Sequence, residues 1–215
     1  MRTCLALTLI ALALPAGGCS WFAWLGYVFA PAAPTRAVDA EFKHLPGKHV
    51  AVVVYAGPGT QTDFPLAQLE ISDAVNFQLR ENVDGVTVVP PRRVMRYQDE
   101  NPGWEEMAPE KLCRKLSCDY VLLVSLIEFS TREPGSSRLA RGRLTAEAKL
   151  YGRPDGERAG LQWRSEENFR VIYPSDEKLA TPTRDPSKIR FETERRFATA
   201  LVKKFYKHRE LIEEE

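Results

Sequence analysis

Histidine is scarce in this chain: His44, His49 and His208 are the only three in 215 residues, and they are scattered. A zinc centre needs several nitrogen or sulfur ligands close together, so no metal site is expected. Neither sign of charge dominates, with 30 basic against 29 acidic side chains. Such a balance makes no overall field to draw in nucleic acid. No internal repeat and no low-complexity tract is present, so a repeat architecture is excluded. The loop Gly57-Pro-Gly-Thr-Gln-Thr62 lies between a strand and a helix, where phosphate loops occur. It lacks the Gly-Lys-Ser/Thr ending that supplies charge and metal contact, and reads as a plain turn. Ser125, Ser130 and Ser165 have no Gly-x-Ser-x-Gly elbow around them and no histidine nearby in sequence. Only a triad assembled from distant parts stays open. No catalytic residue and no cofactor is nominated.

What is present is concentrated at the amino end. Arg2 supplies a positive start, Leu5 to Leu14 is an apolar run, and Ala16-Gly17-Gly18 precede Cys19. A charged start, a short apolar core and small residues at a cut site make a secretory signal. With Ser20 following, the segment resembles the lipobox of bacterial lipoproteins, Ala16 standing where leucine is usual. The resemblance implies cleavage before Cys19 and acyl chains on its sulfur and new amino terminus. The competing reading is an uncleaved helix from Leu5 to about Ala30, long enough for the ~20 apolar residues a span needs. Pro15, Gly17 and Gly18 would weaken that helix where lipid must be excluded. The lipid anchor is the favoured reading, since each buried methylene adds about 0.8 kcal/mol. Serine rather than aspartate after the cysteine implies, by the same resemblance, the outer membrane with the domain facing the periplasm; the inner membrane is the alternative.

Trp21, Phe22, Trp24, Tyr27 and Phe29 follow closely. Rings with a polar edge favour the headgroup zone, which places this segment on the bilayer surface. The alternative is that they fill a groove of the folded domain. Pro31, Pro34 and small residues up to about Ala40 read as an extended tether. Removing residues 1–18 takes away one basic residue, Arg2, leaving 29 basic against 29 acidic in 197 residues. That length suits one domain with a real core. The expected division is 1–18 signal, 19–44 lipidated aromatic anchor and tether, 45–210 an α/β domain, and 211–215 an acidic tail. With Cys4 lost and Cys19 modified, Cys113 and Cys118 remain. In an oxidising compartment they either pair or stay as two buried thiols acting as small hydrophobes.

The run Val50-Ala-Val-Val-Val-Tyr55 predicts a strand covered on both faces. A helix is expected from Asp63 as N-cap to Asn82, with Pro65 in its first turn. Val86 to Val89 reads as a short strand stopped by Pro90-Pro91, and Val94 to Tyr97 as a brief helical turn. A helix over Pro109–Leu116 and a buried strand over Asp119–Ile127 follow. Pro134-Gly-Ser-Ser137 predicts a hairpin to an alternating strand over Leu139–Leu150, and Pro154-Asp-Gly156 a turn into a strand from about Leu161 to Tyr173. Thr181 to Pro186 reads as a polar loop, and a last helix as running from about Ser187 to near Leu211. The fold class is α/β (α+β): a single domain with an amino-terminal βαβ unit, an antiparallel carboxyl-terminal half, one mixed sheet and packed helices.

Lys48-His-Val-Ala-Val-Val-Val54, Ile71-Ser-Asp-Ala-Val-Asn-Phe-Gln-Leu79, Val86-Thr-Val-Val89 and Asp119-Tyr-Val-Leu-Leu-Val-Ser125 carry a resemblance over roughly residues 45 to 210. In order and pattern they are similar to the α/β domain shared by the curli-secretion lipoprotein and the lipoprotein activator of penicillin-binding proteins. That resemblance implies a non-enzymatic protein assisting envelope machinery. Two features depart from it. The strands around Pro134 are charged on alternate positions, unlike the membrane hairpins of a secretion pore, and no long proline-rich tether is present.

Arg92, Arg93 and Arg96 cluster beside Tyr97. They read either as an anion- or partner-docking patch or, preferred, as a solvated loop balanced by Asp99 and Glu100. Arg138, Arg141 and Arg143 read as a solvent-facing strand edge. Trp104, in the polar loop Asn101-Pro-Gly-Trp104, is either pinned into the core or offered to a partner. The leading expectation is a non-catalytic, membrane-anchored lipoprotein that binds or regulates another envelope protein. A self-assembling homo-oligomer of the secretion-channel type comes second and an envelope hydrolase third.

Overall fold

The computed structural model describes residues 34–136, 139–153, 159–176, 181–182 and 186–211. The signal segment, Cys19, Trp21, Phe22, Trp24, Tyr27, Phe29 and Arg138 lie outside them. So do the tail beyond Leu211 and the Pro154-Asp-Gly156 turn.

Among the described residues the main sheet has seven strands, with β3-β2-β4-β5-β6 in line and β7 and β8 also paired to β5. Its centre is β2 (His49–Tyr55) and β4 (Tyr120–Arg132), parallel and in register from Val50↔Tyr120 to Tyr55↔Ser125. β3 (Thr87–Val88) flanks β2 in parallel, and β5 (Leu139–Gly152) flanks β4 antiparallel as the hairpin partner. Alternate residues of β2 point to opposite faces, and both faces are covered, which is why the run is apolar without alternation. Val50, Val52 and Val54 join one core with α2 (Ala67–Asn82) and α5 (Pro186–Val202). Ala51 and Val53 join the other with α3 (Pro91–Glu100) and α4 (Pro109–Leu116).

Helix boundaries differ from expectation where proline acts. Asp63 is the last residue of a short helix, α1 (Pro58–Asp63), and does not cap the long one. Proline disfavours helix for the residue before it, so Phe64 leaves helical geometry (φ −136°, ψ 75°) ahead of Pro65 and α2 begins only at Ala67. Pro91 starts a ten-residue helix instead of merely stopping a strand, because its fixed φ suits the first helical position. The brief turn expected at Val94–Tyr97 is the middle of that helix.

The carboxyl-terminal half departs further. The strand expected over Leu161–Tyr173 is two, β6 (Gly160–Arg164) and β7 (Phe169–Tyr173), both antiparallel to β5. Ser165 bridges the break, its backbone N–H donating to the Ala148 carbonyl at 3.0 Å. Thr181–Pro182, expected in a loop, is β8. The last helix ends at Val202, not near Leu211. Lys203–Phe205 tightens into a 3-10 turn that buries Phe205, and the Lys204 carbonyl accepts from the N–H groups of Glu41 and Phe42. Phe42, expected in the tether, is therefore core, as is Leu45. A separate two-stranded ribbon pairs β1 (Thr35–Val38) with β9 (His208–Leu211).

Arg141 and Arg143 do not form a solvent-facing edge. β5 is an inner strand, and both guanidinium groups grip Glu133, at 3.3 and 2.8 Å. Arg141 is 8 % exposed and also donates to the carbonyls of Pro174 and Ser175. A buried arginine persists only with its donors satisfied, and this one has carboxylate and carbonyl partners.

Where α5 crosses β5, a glycine sets the spacing. A Cβ at Gly142 would overlap the Thr193 hydroxyl and approach its Cβ at 2.9 Å. Thr193 is fully buried and held by its own bond to the Ile189 carbonyl at 2.7 Å. Gly142→Ala is expected to destabilise the domain by about 1–3 kcal/mol in urea unfolding. Adding Thr193→Ala should restore part of the loss.

Candidate functional site

The proline pair that ends β3 puts Arg92, Arg93 and Arg96 on the first two turns of α3. Val94 points inward as that helix's buried residue, and the three arginines are exposed. Residues 92 and 96 are four apart and share a face, with Arg93 beside them. Asp99 and Glu100 lie on the last turn of the same helix. Among the described residues none of the three arginines makes an ion pair with them, so the expected loop with balanced charge is replaced by a helical patch without an internal counter-ion. Some other arginines are paired: Arg190 with Glu70 at 3.0 Å, Arg195 with Glu192 at 2.8 Å, and Arg196 over the Tyr173 ring at 4.5 Å. Arg80, Arg132, Arg164 and Arg170, in contrast, are exposed like the trio and make no ion pair among the described residues.

Trp104 is not part of that surface. It is 9 % exposed, sits in the core beneath α3 and α4, and meets Tyr55 edge-on at 6.1 Å. Gly103, at φ +83°, makes the left-handed turn that drops the ring inward. The aromatic side chain in a polar loop is thus a core anchor.

In open α/β sheets ligands favour the crevice beyond the carboxyl ends of parallel strands. At this end of β2 several backbone carbonyls accept from helix side chains. β3 pairs only with His49 and Val50, so the carbonyls of Val52, Val54 and Ala56 face no strand. Ser72 Oγ donates to Val52 at 3.1 Å, Gln68 and Gln98 donate to Val54 at 2.9 and 3.1 Å, and Gln61 donates to Ala56 at 2.7 Å. Sequence reasoning missed these four residues, because a glutamine on a helix gives no sign of which carbonyl it will meet. The segment expected as a plain turn, Gly57 to Thr62, is instead mostly the short helix Pro58–Asp63, because Pro58 suits the first helical position.

Of the histidines, His49 Nδ1 shares a hydrogen bond with Thr87 Oγ1 at 2.8 Å, and its backbone N–H donates to Asp119 Oδ2 at 2.9 Å. Both contacts clamp the starts of β2, β3 and β4. His44 packs edge-on against Phe42, and His208 Nδ1 lies 3.1 Å from the Tyr206 carbonyl. Among the described residues no group of three or more His, Cys, Asp or Glu is placed to hold a metal ion, and no helix is long and apolar enough to cross a membrane. A groove of about 300 Å³ involves Asp39, Lys43, Asp84 and Lys207. Asp39 lies 3.7 Å from Lys43 and 3.6 Å from Lys207, so its charges are largely spent on one another.

Cys113 and Cys118 are both free and fully buried. The Cys118 thiol hydrogen-bonds that of Cys113, which lowers the Cys113 thiol and raises that of Cys118, burial opposing the first shift and adding to the second.

The remaining unusual group is Glu194 on α5. It is 4 % exposed and its Oε1 has no partner. Burial, then the neighbouring Glu70 charge, push its carboxyl up to about 8, with Arg190 opposing. Sequence pattern hides it because it falls among the apolar positions of its helix. The folded chain holds this proton to about pH 8, while the unfolded chain releases it near 4.5. Its contribution is complete below the lower value and is lost as pH rises through the upper one. Urea unfolding between pH 5 and 9 should show stability falling with pH, and Glu194→Gln should remove that slope and be the more stable form at pH 9.

No protein-family model matches the chain, and no curated protein does. Among solved structures it is similar to the PelC dodecamer from Paraburkholderia phytofirmans, at 10 % identity and TM-score 0.44, covering 80 % of this chain and 98 % of that one. It is also similar to lipoprotein GNA1162 from Neisseria meningitidis, at 20 % identity and TM-score 0.35, covering 61 % and 89 %. Protein XCC0632 from Xanthomonas campestris gives 15 % identity and TM-score 0.38, covering 76 % and 88 %. These are distant similarities of general shape, and no residue role is carried over from them.

Proposed function

We propose that this chain is a lipid-anchored, non-catalytic accessory protein of the bacterial envelope, tethered through Cys19 to the outer membrane, whose domain docks an acidic surface of another envelope protein through α3. The observation that carries the docking reading is the exposed trio Arg92, Arg93 and Arg96, which has no ion-pair partner among the described residues. Unpaired cations on a rigid helix are pre-organised for a carboxylate-rich partner and steer its approach. The non-catalytic reading is supported by histidines engaged with Thr87, Phe42 and the Tyr206 carbonyl.

Two measurements test this. Cys19→Ala should abolish acyl labelling and move the protein out of the membrane fraction; retention with membranes would remove the anchor. Reversing Arg92, Arg93 and Arg96 to glutamate should abolish in-cell crosslinks from α3 while leaving the unfolding midpoint nearly unchanged, since exposed charges seldom matter to stability. Unchanged crosslinking would discard α3 as the docking face.

A second reading, self-assembly, is favoured by Phe77 and Phe191, half or more exposed on α2 and α5. Size-exclusion chromatography of residues 38–215 separates the two, because a ring-sized species supports self-assembly and a monomer removes it.

A further inference from the structure

From the geometry at the end of α4 we infer that Cys113 and Cys118 are a disulfide-forming pair, closed by thiol–disulfide exchange and stapling that helix to the entry of β4.

The end of α4 is a Schellman turn with serine in the glycine position. Ser117 adopts the left-handed conformation, φ 56° and ψ 47°. Its N–H donates to the Arg114 carbonyl at 3.2 Å, and the Cys118 N–H donates to the Cys113 carbonyl at 2.9 Å. In this motif the residue after the left-handed position and the residue five before it commonly touch through their side chains. Here both are cysteines. The usual occupants of those places are apolar, and two thiols serve as small apolar groups while reduced.

The backbone bond limits how far apart they can be. A carbonyl oxygen lies about 2.4 Å from its own Cα and an amide nitrogen about 1.46 Å from its own. Adding the 2.9 Å bond holds the two Cα atoms within about 6.8 Å, inside the span that disulfides use. Both side chains lie in one core cluster with Leu112, Leu116 and Val121, so they are directed to the same side. Cys113 Sγ lies 3.6 Å from the Tyr151 carbonyl. With the Cα atoms inside that span and both side chains in one cluster, closing the bond needs rotation of the two side chains and no change in the path of the chain.

The step balances through an external disulfide such as oxidised glutathione or an exported dithiol oxidase. Cys113, the thiol held below its ordinary value, attacks as thiolate and forms a mixed disulfide, expelling one thiolate of the oxidant. Cys118 then gives up its proton and attacks the Cys113 sulfur, expelling the second. Two S–H bonds are lost, one S–S bond is made, and two electrons and two protons end on the oxidant. Because both thiols are fully buried, the exchange belongs to the chain before its core closes or to transient opening of the last turn of α4.

Arg114 and Lys115 lie between the cysteines, so trypsin separates them and only a disulfide keeps the two peptides together. The full-length protein, reduced, unfolded in urea and refolded in a glutathione redox buffer, should yield that linked pair, lighter by two hydrogens, with unchanged far-ultraviolet circular dichroism. Cys118→Ala should instead stop at a glutathione adduct on Cys113. Refolded wild type with two free thiols, or with adducts that do not close, overturns the inference. The same digest on protein trapped with an alkylating agent at cell lysis reads the cellular state separately. Linked peptides there support closure in the cell and free thiols there overturn it, while acyl labelling at Cys19 reads the envelope location independently.

Discussion

Strand β2 is bonded along one side for its whole length and along the other for only two residues, and most of the architecture answers that asymmetry. Val50 to Tyr55 run in register with β4, while β3 meets only His49 and Val50. Three inward-lying carbonyls would otherwise go unbonded in an apolar setting, at roughly 1–3 kcal/mol each. Ser72, Gln68, Gln98 and Gln61 take the place of the missing strand. Those donors come from α1, α2 and α3, so the same bonds orient three helices over the carboxyl end of the sheet. They also use the ground on which α/β proteins commonly build a ligand site.

That surface is uneven in how its charge is used. The buried Arg141 and the partly buried Arg143 and Glu133 form a triad that ties the β4–β5 hairpin to the chain after β7. Arg190 is divided between a salt bridge to Glu70 and the neighbourhood of the buried Glu194. The three arginines of α3 differ from these by being exposed together on one helix, although Arg80, Arg132, Arg164 and Arg170 are likewise exposed. Burial of Glu194 between helices works against the fold at alkaline pH, where a neutral residue would serve packing better. Ile189, Thr193, Phe197 and Leu201 are buried along the same helix, and α5 reaches β5 closely because Gly142 has no side chain to hold Thr193 off.

Much of the fold is legible along the chain. The β-branched run of β2, the Asp-Tyr entry to β4, the hairpin at Pro134 and the α4 boundaries all follow from local pattern, because burial on two faces and turn chemistry act over a few residues. Proline acts against the simple pattern twice. Pro65 breaks the chain before it instead of sitting inside the first turn of α2, and Pro91 opens a helix as well as ending a strand. The site is harder to read than the fold. Arg92, Arg93 and Arg96 are visible as a cluster, but whether Asp99 and Glu100 neutralise them depends on the segment being helical. Trp104 could be core or surface on sequence alone, and only the left-handed Gly103 with Tyr55 in reach decides it.

By itself the amino-acid order determined the main strands and helices and the parallel-then-antiparallel arrangement, since each rests on periodicity or composition over a short stretch. Tertiary structure alone decided which polar side chains are spent. Gln68 and Gln98 meet one carbonyl from different helices, Glu133 meets two arginines of the next strand, and Cys118 meets Cys113 across a helix end. Such pairings depend on the distance between elements after packing, a quantity that no local stretch of sequence carries.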